Sequence, residues 1–364
     1  MKLKYFIISC VLMQCCSPVS AQDIVDTTMT PIAYGAQPSW AQSAAISTVK
    51  GERLMEITSP TVGNALKGML PGLSLLQKSG EPGYDFYMEN MFTRGVSSFN
   101  SKQEMLVFID GFEAPLDNLS TEEIESVSLL KDAAALAIYG SRGANGVLLI
   151  TTKKGFRSAP KIGFRMQTGI QMPTVMNTPM DAYHYASLYN QALANDGKAP
   201  IYTDDMLAAY QSGSNAYLFP NVNWKTQVYK TTTPLTMGEL SFRGGGSGLN
   251  YYVMAGLLQN DGIYRGTDSK RRENANVDYA RYNFRANLDV DITRYFRASL
   301  YSGVSLAEKT MPGGGGADSY LNAIWSTPPN AFPVYNPNGS IGGTSLYTNP
   351  VANLLYRGLN KENS

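Results

Sequence analysis

The chain has 364 residues, which is enough for two or more domains. Its net charge of +1 provides no broad positive field, and this excludes a general attraction to nucleic acid or to an anionic membrane surface. Its 34 glycines and 23 tyrosines are a high content, which is typical of proteins rich in β-strands and turns.

The first 21 residues have the pattern of a secretory signal peptide. Residues 1–4 are basic, residues 5–13 are apolar but too short to cross a bilayer, and residues 19–21 form a small-residue cleavage site. All three cysteines lie within this segment, so we expect no disulfide framework after cleavage. A lipid-anchored form acylated at Cys15 is a weaker alternative, because bulky residues precede that cysteine. We therefore expect an exported protein, either periplasmic, secreted or in the outer membrane.

The segment after the signal peptide predicts a flexible tail. Residues 22–50 are polar, contain several prolines and show no sustained periodicity. A tail of this kind can serve as a linker, or it can add as an extended strand to the edge of a partner's sheet.

Residues 51–155 predict one small α+β domain made of short helices and strands. Ser120 and Glu123 have the spacing of a helix capping box. Asp132 is placed to cap a helix over residues 133–139.

A glycine-rich turn follows this predicted helix. It lacks the Gly-Lys-Ser/Thr ending of a phosphate-binding loop and precedes a strand instead of a helix. We therefore expect Gly140, Gly143 and Gly146 to supply positive φ angles in a tight connection between helix and strand.

Beyond residue 160 the sequence changes to long two-residue alternation. In residues 280–291 an apolar set alternates with a polar set, and a second apolar run follows over 296–306. This pattern fits either a half-buried soluble sheet or a membrane barrel with a lipid-facing side and a wet interior. Short turns at one end and long loops such as 173–234 at the other favour the barrel. The apolar set is Tyr282, Phe284, Ala286, Leu288 and Val290, and the polar set is Arg281, Asn283, Arg285, Asn287 and Asp289.

Residues suited to catalysis are sparse. His184 is the only histidine and no Gly-x-Ser-x-Gly motif accompanies it, so we predict no Ser-His-Asp triad. A Cys/His zinc site is not expected either. The carboxylates Glu122, Glu123 and Glu125 are interpreted as a solvated face around the capping turn. The sequence thus predicts no catalytic residues, no cofactor site and no metal site, and we do not expect an enzyme.

Five ordered runs between residues 93 and 155 closely resemble the plug domain of SusC/RagA-type TonB-dependent outer-membrane transporters. They are TRGVSS at 93–98, VFIDG at 107–111, IESVSLLKD at 124–132, AIYGSRGANG at 137–146 and ITTKKG at 150–155. A looser similarity to that family's first barrel strands continues through 220–224, 251–263 and 281–289. The motif positions are Arg94, Gly95, Asp110, Gly111, Lys131, Asp132, Tyr139, Gly140, Arg142, Gly143, Asn145 and Gly146.

The resemblance implies an α+β plug domain followed by part of an antiparallel transmembrane β-barrel embedded in outer-membrane lipid. In that family the barrel has 22 strands, a SusD-like surface lipoprotein closes over it, and an N-terminal TonB box takes energy from the inner membrane. Residues 160–364 would be the N-terminal part of the barrel. The TonB box is expected among Asp23, Ile24, Val25, Asp26, Thr27, Thr28, Met29 and Thr30.

The function implied by the resemblance is TonB-dependent import of a nutrient, an oligosaccharide or a peptide, across the outer membrane. Six to eight barrel strands are predicted after residue 160, and a barrel of eight strands is filled by its own side chains. We therefore expect either an N-terminal portion of a longer protein or a truncated product. The alternative is a truncated remnant that acts as a periplasmic binding or regulatory module without transport. A glycan-degrading enzyme would need a paired-carboxylate site that the sequence does not present.

Overall fold

The computed structural model describes residues 29–32, 35–77, 79–83, 91–95, 105–174, 177–266, 275–314 and 316–364. The predicted signal peptide and residues 23–28 of the predicted TonB box lie outside these ranges.

The described residues up to 155 form short strands and helices. A hairpin of two strands comes first, and the remaining strands build a five-stranded sheet and a separate two-stranded one. The elements are β1 (Met29–Ile32), β2 (Gly35–Pro38), β3 (Ile46–Lys50), α1 (Gly51–Met55), α2 (Val62–Leu66), β4 (Leu73–Leu75), β5 (Met91–Thr93), β6 (Leu106–Ile109), β7 (Phe112–Glu113), β8 (Ile124–Leu130), α3 (Ala133–Leu136) and β9 (Val147–Thr152).

The five-stranded sheet has the order β3-β8-β9-β6-β7, and its neighbours are antiparallel except for the parallel pair β6–β9. The central strands β8 and β9 are apolar and largely buried because helices and turns cover the sheet. Leu54 of α1 and Leu66 of α2 pack into one core with Leu129 and Ile150 of these strands.

The prediction of a flexible tail is wrong at the C-terminal end of that segment. Residues 46–50 form β3, which pairs with β8 from Ile46 opposite Leu130 to Lys50 opposite Ser126. The Val49 side chain is buried in the core below this edge strand. One buried residue in a polar segment is too weak an alternation to reveal a strand from sequence.

The glycine-rich turn is confirmed at two of its three positions. Gly140 and Gly146 have φ angles of +61° and +96°. The prediction for Gly143 is wrong, because Gly143 is buried and has no positive φ. A Cβ atom there would lie 2.9 Å from the Cβ atom of Tyr139, so close packing requires the glycine. The predicted helix is also shorter, since α3 ends at Leu136 and continues as a 3₁₀ segment, Ala137–Asn145.

A six-stranded antiparallel sheet follows, with its strands in sequence order. The helices lie in the connections from β10 to β11 and from β14 to β15. None of the helices in the described ranges has the length and apolar character needed to cross a bilayer. The elements are β10 (Ser158–Gln171), α4 (Ala182–Asn195), α5 (Asp204–Ser212), α6 (Trp224–Val228), β11 (Thr233–Gly245), β12 (Leu249–Asp261), β13 (Asp278–Thr293), β14 (Phe296–Pro312), α7 (Gly316–Ser326), α8 (Pro350–Tyr356) and β15 (Leu359–Asn363).

The two faces of this sheet decide between the two interpretations of its alternation. On β13 the apolar residues Tyr282 and Phe284 are each 48% exposed, whereas Arg281, Arg285 and Asn287 are 5%, 8% and 1% exposed. A half-buried soluble sheet would show the reverse, because its apolar face would form the core. The burial is that of a membrane barrel strand, with apolar side chains outside and polar side chains inside.

The connections at the two ends of the sheet differ in length. Residues 246–248 and 294–295 make short turns at one end, while residues 172–232, 262–277 and 313–358 make long connections at the other. We call the second end the long-loop end. Helices α6, α7 and α8 pack around an aromatic core that contains Trp224, Tyr229, Tyr264, Tyr320 and Phe332. Helices α4 and α5 pack against each other in a separate cluster around Ala186 and Tyr210.

Gly146 is expected to be irreplaceable for the fold. A Cβ atom there would lie 2.2 Å from Oγ1 of Thr93, and the φ angle of +96° is itself strained for any other residue. We expect Gly146→Ala to accelerate amide hydrogen exchange in β9 at least about tenfold, since such strain costs about 1–3 kcal/mol before the clash is added. Gly95→Ala is the matched control, because Gly95 has a φ angle of +102° in open space. An equal effect of both substitutions on β9 would contradict the clash.

Candidate functional site

The candidate site is the contact between the inner face of the six-stranded sheet and the domain that contains the five-stranded sheet. Strand β13 contributes four successive inward side chains to it, because residues at even spacing on a strand face the same side. All four are polar and buried: Arg281, Asn283, Arg285 and Asn287.

Glu123 lies at the centre of this contact and is 1% exposed. Its carboxylate accepts hydrogen bonds from the backbone N–H of Ser120 (3.1 Å), from Nδ2 of Asn283 (3.0 Å) and from Nε of Arg285. The first bond belongs to the predicted capping box, which is confirmed. The interpretation of Glu123 as part of a solvated face is wrong, because the capping turn directs its carboxylate towards β13.

Asp110 is a second carboxylate beside Arg285. Its Oδ2 lies 3.9 Å from Nη1 of Arg285, and its side chain is almost fully buried. The backbone N–H of Thr152 donates to Oδ1 (3.0 Å) and the Thr152 hydroxyl donates to Oδ2 (2.5 Å). Asp110 has a left-handed φ of +50° and precedes Gly111 at +92°, so this tight turn fixes the carboxylate in place. One guanidinium is therefore shared between two carboxylates of the other sheet's domain.

Other side chains of β13 donate to backbone carbonyl groups. Nη1 of Arg281 donates to the carbonyl oxygen of Asp117 (2.7 Å), and Nδ2 of Asn283 donates to that of Asn118 (2.7 Å). Nδ2 of Asn287 donates to Oγ1 of Thr152 (2.7 Å) and to the carbonyl oxygen of Lys153 (2.8 Å). These bonds satisfy carbonyl groups at chain turns that have no partner within a sheet.

Neighbouring strands extend the contact. Glu239 of β11 accepts a hydrogen bond from the hydroxyl of Ser120 (2.5 Å), and the hydroxyl of Tyr252 on β12 donates to the carbonyl oxygen of Glu122 (3.2 Å). Nε of Arg243 donates to the carbonyl oxygen of Lys154 (2.5 Å). The chain segment that connects β9 to β10 packs closely against β12. A Cβ atom on Gly155 in this segment would lie 2.1 Å from the backbone nitrogen of Tyr251.

A second polar cluster holds the start of β3. Nζ of Lys131 donates to the hydroxyl of Ser47 (2.5 Å) and to the carbonyl oxygen of Pro71 (3.0 Å). The carboxylate of Asp132 accepts hydrogen bonds from the backbone N–H groups of Ala45 (2.9 Å) and Ala135 (3.0 Å), as its predicted capping role requires. These two backbone donors lower the pKa of Asp132 below its usual range.

The remaining predicted motif residues shape turns away from the contact. Arg94 has a φ of +59° and Gly95, the next residue, has a φ of +102°. The backbone N–H of Arg94 donates to the carbonyl oxygen of Gly72 (3.0 Å). The ring of Tyr139 packs 5.1 Å from that of Phe108, and Asn145 ends the 3₁₀ segment. Arg142 forms an exposed ion pair with Glu113 (2.6 Å). The structure thus divides the motif between the contact, the β3 cluster and turn geometry.

Part of the predicted TonB box is in an ordered hairpin. Met29 and Thr30 belong to β1, where they pair with Pro38 and Gln37 of β2. The other six residues of that prediction lie outside the described ranges.

The β13 residues of the site were not predicted as site residues from the sequence. Their alternation with apolar residues was visible, and a charged or amide side chain at every inward position was the signal. The alternation shows that one face of the strand is polar, but it does not show which residues of another domain that face contacts.

The arrangement provides attachment, since its carboxylates are occupied by hydrogen-bond donors and cations from both domains. Among the described residues, no group of three His, Cys, Asp or Glu side chains could hold a metal ion. His184 lies at an exposed helix start, where its Nδ1 is 2.8 Å from the carboxylate of Asp181 that caps α4.

The family model described as TonB-dependent Receptor Plug Domain matches residues 40–147. TonB-dependent receptor P3 of Formosa agariphila is 30% identical over 326 residues, which are 86% of this chain and 29% of the relative. TonB-dependent receptor SusC of Bacteroides thetaiotaomicron is 27% identical over 299 residues, 77% of this chain and 28% of SusC. The chain therefore spans less than a third of the length of these relatives, which are named as receptors and not as enzymes.

Solved structures share the fold. The RagAB peptide importer in its open-open state matches with a TM-score of 0.66 and 22% identity, over 89% of this chain and 38% of that one. The RagAB peptide transporter matches with a TM-score of 0.62 and 24% identity, over 84% of this chain and 35% of that one.

A plug domain attached to the inner face of barrel strands defines the TonB-dependent receptors of the outer membrane. The chain belongs to the SusC/RagA family of these receptors. The predicted fold class is confirmed: an α+β plug domain is followed by part of an antiparallel transmembrane β-barrel. Within the described residues the barrel is not closed, since its six strands form an open sheet from β10 to β15.

The buried ion pair of Glu123 is expected to hold the plug in place. Glu123→Ala leaves the guanidinium of Arg285 without its nearest carboxylate, which costs about 3–5 kcal/mol for a buried pair. We expect amide exchange in plug residues 116–130 to accelerate at least a hundredfold in the purified protein.

The matched control for this prediction is Glu113→Ala, which breaks an exposed carboxylate–arginine pair of the same domain. Its partners are 43% and 65% exposed, so the loss should stay below about 1 kcal/mol. Equal acceleration in both variants would contradict a special role for Glu123.

We expect the stability that the hydrogen bonds of Asp132 provide at the start of β3 to depend on pH. Folding lowers the pKa of Asp132, so its ionised carboxylate stabilises the folded state at pH values above about 4. This stabilisation is lost as the pH falls through the pKa of the folded state. We expect Asp132→Ala to cost about 0.5–2 kcal/mol at pH 7, the usual value of a helix cap, and less at pH 2. Thermal unfolding of both proteins at the two pH values tests this. A loss that is the same at both would show that the carboxylate charge is not involved.

Proposed function

We propose that the protein takes part in TonB-dependent import of a nutrient across the outer membrane, with the plug as the gate. The observation that carries this proposal is the polar attachment of the plug to barrel strands through Glu123, Asp110 and Arg285. A contact made of hydrogen bonds and ion pairs exchanges its partners for water at low net cost, whereas an apolar seam would resist separation. The plug can therefore be firmly seated and still be released.

The outer membrane is the location that suits the outward face of the barrel strands. This face presents Phe164, Phe242 and Phe284 with much of each ring exposed, and also exposes Leu300 and Leu306. A band of apolar side chains on strands with a polar inner face is stable in lipid and costly in water. Export by the predicted signal peptide at residues 1–21 would deliver the chain there.

Energy coupling would enter through the N-terminal segment. In this proposal TonB binds within residues 23–30, and residues 31–45 connect that box to β3. Because β3 is an edge strand paired only with β8, it is the first part of the plug to receive a pull. The bonds of Lys131 and Asp132 oppose that pull. The plug would extend from β3 to residue 155, and residues 160–364 would contribute barrel strands.

The partner at the long-loop end would be a SusD-like surface lipoprotein. This end is an ordered platform, and it exposes the apolar side chains of Leu188, Ile201, Leu218 and Leu346. The RagAB structures that share the fold are described as a peptide importer, and SusC is a relative. We therefore propose a peptide or an oligosaccharide as the cargo.

Uptake by cells that carry the full-length gene tests the coupling. We expect replacement of residues 23–30 by a Gly/Ser segment of the same length to abolish import and to leave the amount of protein in the outer membrane unchanged. Cells lacking TonB are the control, because there the original and replaced proteins should transport equally poorly. Import that continues at the original rate after the replacement would overturn the proposed coupling.

A further inference from the structure

A cavity of about 920 Å³ lies at the long-loop end, between the plug and the long connections of the barrel strands. The plug contributes residues 79–82, the strand ends contribute residues such as Asp261, and helix α7 contributes Asp318, Leu321 and Trp325. The volume is in the range of pockets that bind small organic ligands. Because plug and barrel both line it, a ligand here would contact the gate directly.

Among the described residues, the charged side chains that line the cavity are all acidic. Glu81, Asp261 and Asp318 come from three separate elements, and the described residues that line the cavity include no Lys, Arg or His. Lys309 and Lys230 lie outside the lining and offset part of this charge. Nζ of Lys309 donates to the carbonyl oxygen of Gly83 (3.3 Å), which holds it behind the plug turn.

Glu81 is a carboxylate of the cavity whose surroundings disfavour its ionised form. Burial raises its pKa, Lys309 lowers it, and the nearby carboxylates of Glu362 and Asp318 raise it further. A carboxylate that burial and like charges push towards the neutral form gains stability in its ionised form when a positive ligand approaches.

The walls of the cavity are aromatic and apolar. Tyr229 and Tyr264 pack with ring centroids 5.4 Å apart and form a rigid wall. Trp325 is 46% exposed and Leu321 is 37% exposed. An exposed indole ring attracts a cation over its face, and an exposed leucine offers contact to an aliphatic side chain.

Resting on the proposed function, we propose that this cavity selects peptides that carry a lysine or arginine next to an apolar side chain. The cation would lie among Glu81, Asp261 and Asp318, and the apolar side chain would contact Trp325 and Leu321. A neutral oligosaccharide could stack on the indole ring, but it would bring no positive charge to the three carboxylates, which Lys309 and Lys230 offset only in part. The peptide is therefore the better match of the two cargo classes.

Binding to the purified full-length receptor in detergent tests the proposal. The probes for calorimetry are acetyl-Lys-Leu-Lys-Leu-amide, acetyl-Glu-Leu-Glu-Leu-amide and maltotetraose. We expect the lysine peptide to bind at least about tenfold more tightly than the other two and to weaken when the salt concentration is raised. Tighter binding of maltotetraose, or equal binding of both peptides, would overturn the proposal.

Two variants locate the site. We expect Glu81→Gln and Asp318→Asn each to weaken the lysine peptide at least about fivefold, because each removes one charge and keeps the side-chain shape. Glu113→Gln is the matched control, since it removes a plug carboxylate outside the cavity. An unchanged thermal unfolding midpoint identifies variants that remain folded. Unchanged affinity in both folded cavity variants would overturn the proposal.

The assay separates this inference from the proposed function, since it needs neither TonB nor cells. If the lysine peptide does not bind while replacement of residues 23–30 still stops nutrient uptake, only the cavity inference fails. If the peptide binds as expected while that replacement leaves uptake unchanged, only the proposed coupling fails.

Discussion

The structure depends on the burial of one guanidinium, that of Arg285, between two carboxylates of another domain. Removing these charges from water is costly, and the cost is offset because Glu123 and Asp110 meet the guanidinium in a fixed geometry. Neither carboxylate is free to adapt. The capping turn of Ser120 fixes Glu123, and the left-handed turn at Asp110 together with Thr152 fixes the other. The relative position of plug and barrel strands is therefore specified by local turn chemistry.

In the barrel strands the polar side chains face the buried side and the apolar side chains face outward, which is the reverse of a soluble sheet. A buried polar residue is stable only when its hydrogen bonds are made, so each inward side chain of β13 requires a particular partner on the plug. Arg281, Asn283 and Asn287 find theirs mostly in carbonyl groups of plug turns. Carbonyl groups are present whatever the side chain, so this part of the contact depends on the backbone path of the plug more than on its sequence.

Much of the fold could be predicted from the sequence because its signals are local. The capping box of Ser120, the cap at Asp132 and the alternation along β13 each lie within a few residues of one another. The failures are non-local. Gly143 is required by the approach of Tyr139, β3 exists because β8 offers it an edge, and Glu123 is buried by strands more than a hundred residues later. On the plug side of the site Asp110 was thus recognisable as part of a motif and Glu123 was not, while their partners on the barrel strands were visible only as one side of a pattern.

The short connection from β9 to β10 determines how the plug can move. Asn287 holds the carbonyl group of Lys153, Arg243 holds that of Lys154, and Gly155 packs against the backbone of Tyr251. The centre of the plug sheet is therefore joined to the barrel wall both covalently and by hydrogen bonds, whereas β3 lies at one edge of the sheet and pairs only with β8. In the proposed gating, a sheet that is held at β9 and pulled at β3 would turn about β9 and would not move as a whole. The passage that such a motion opens would be bounded permanently by β9 and would widen towards the side of β3.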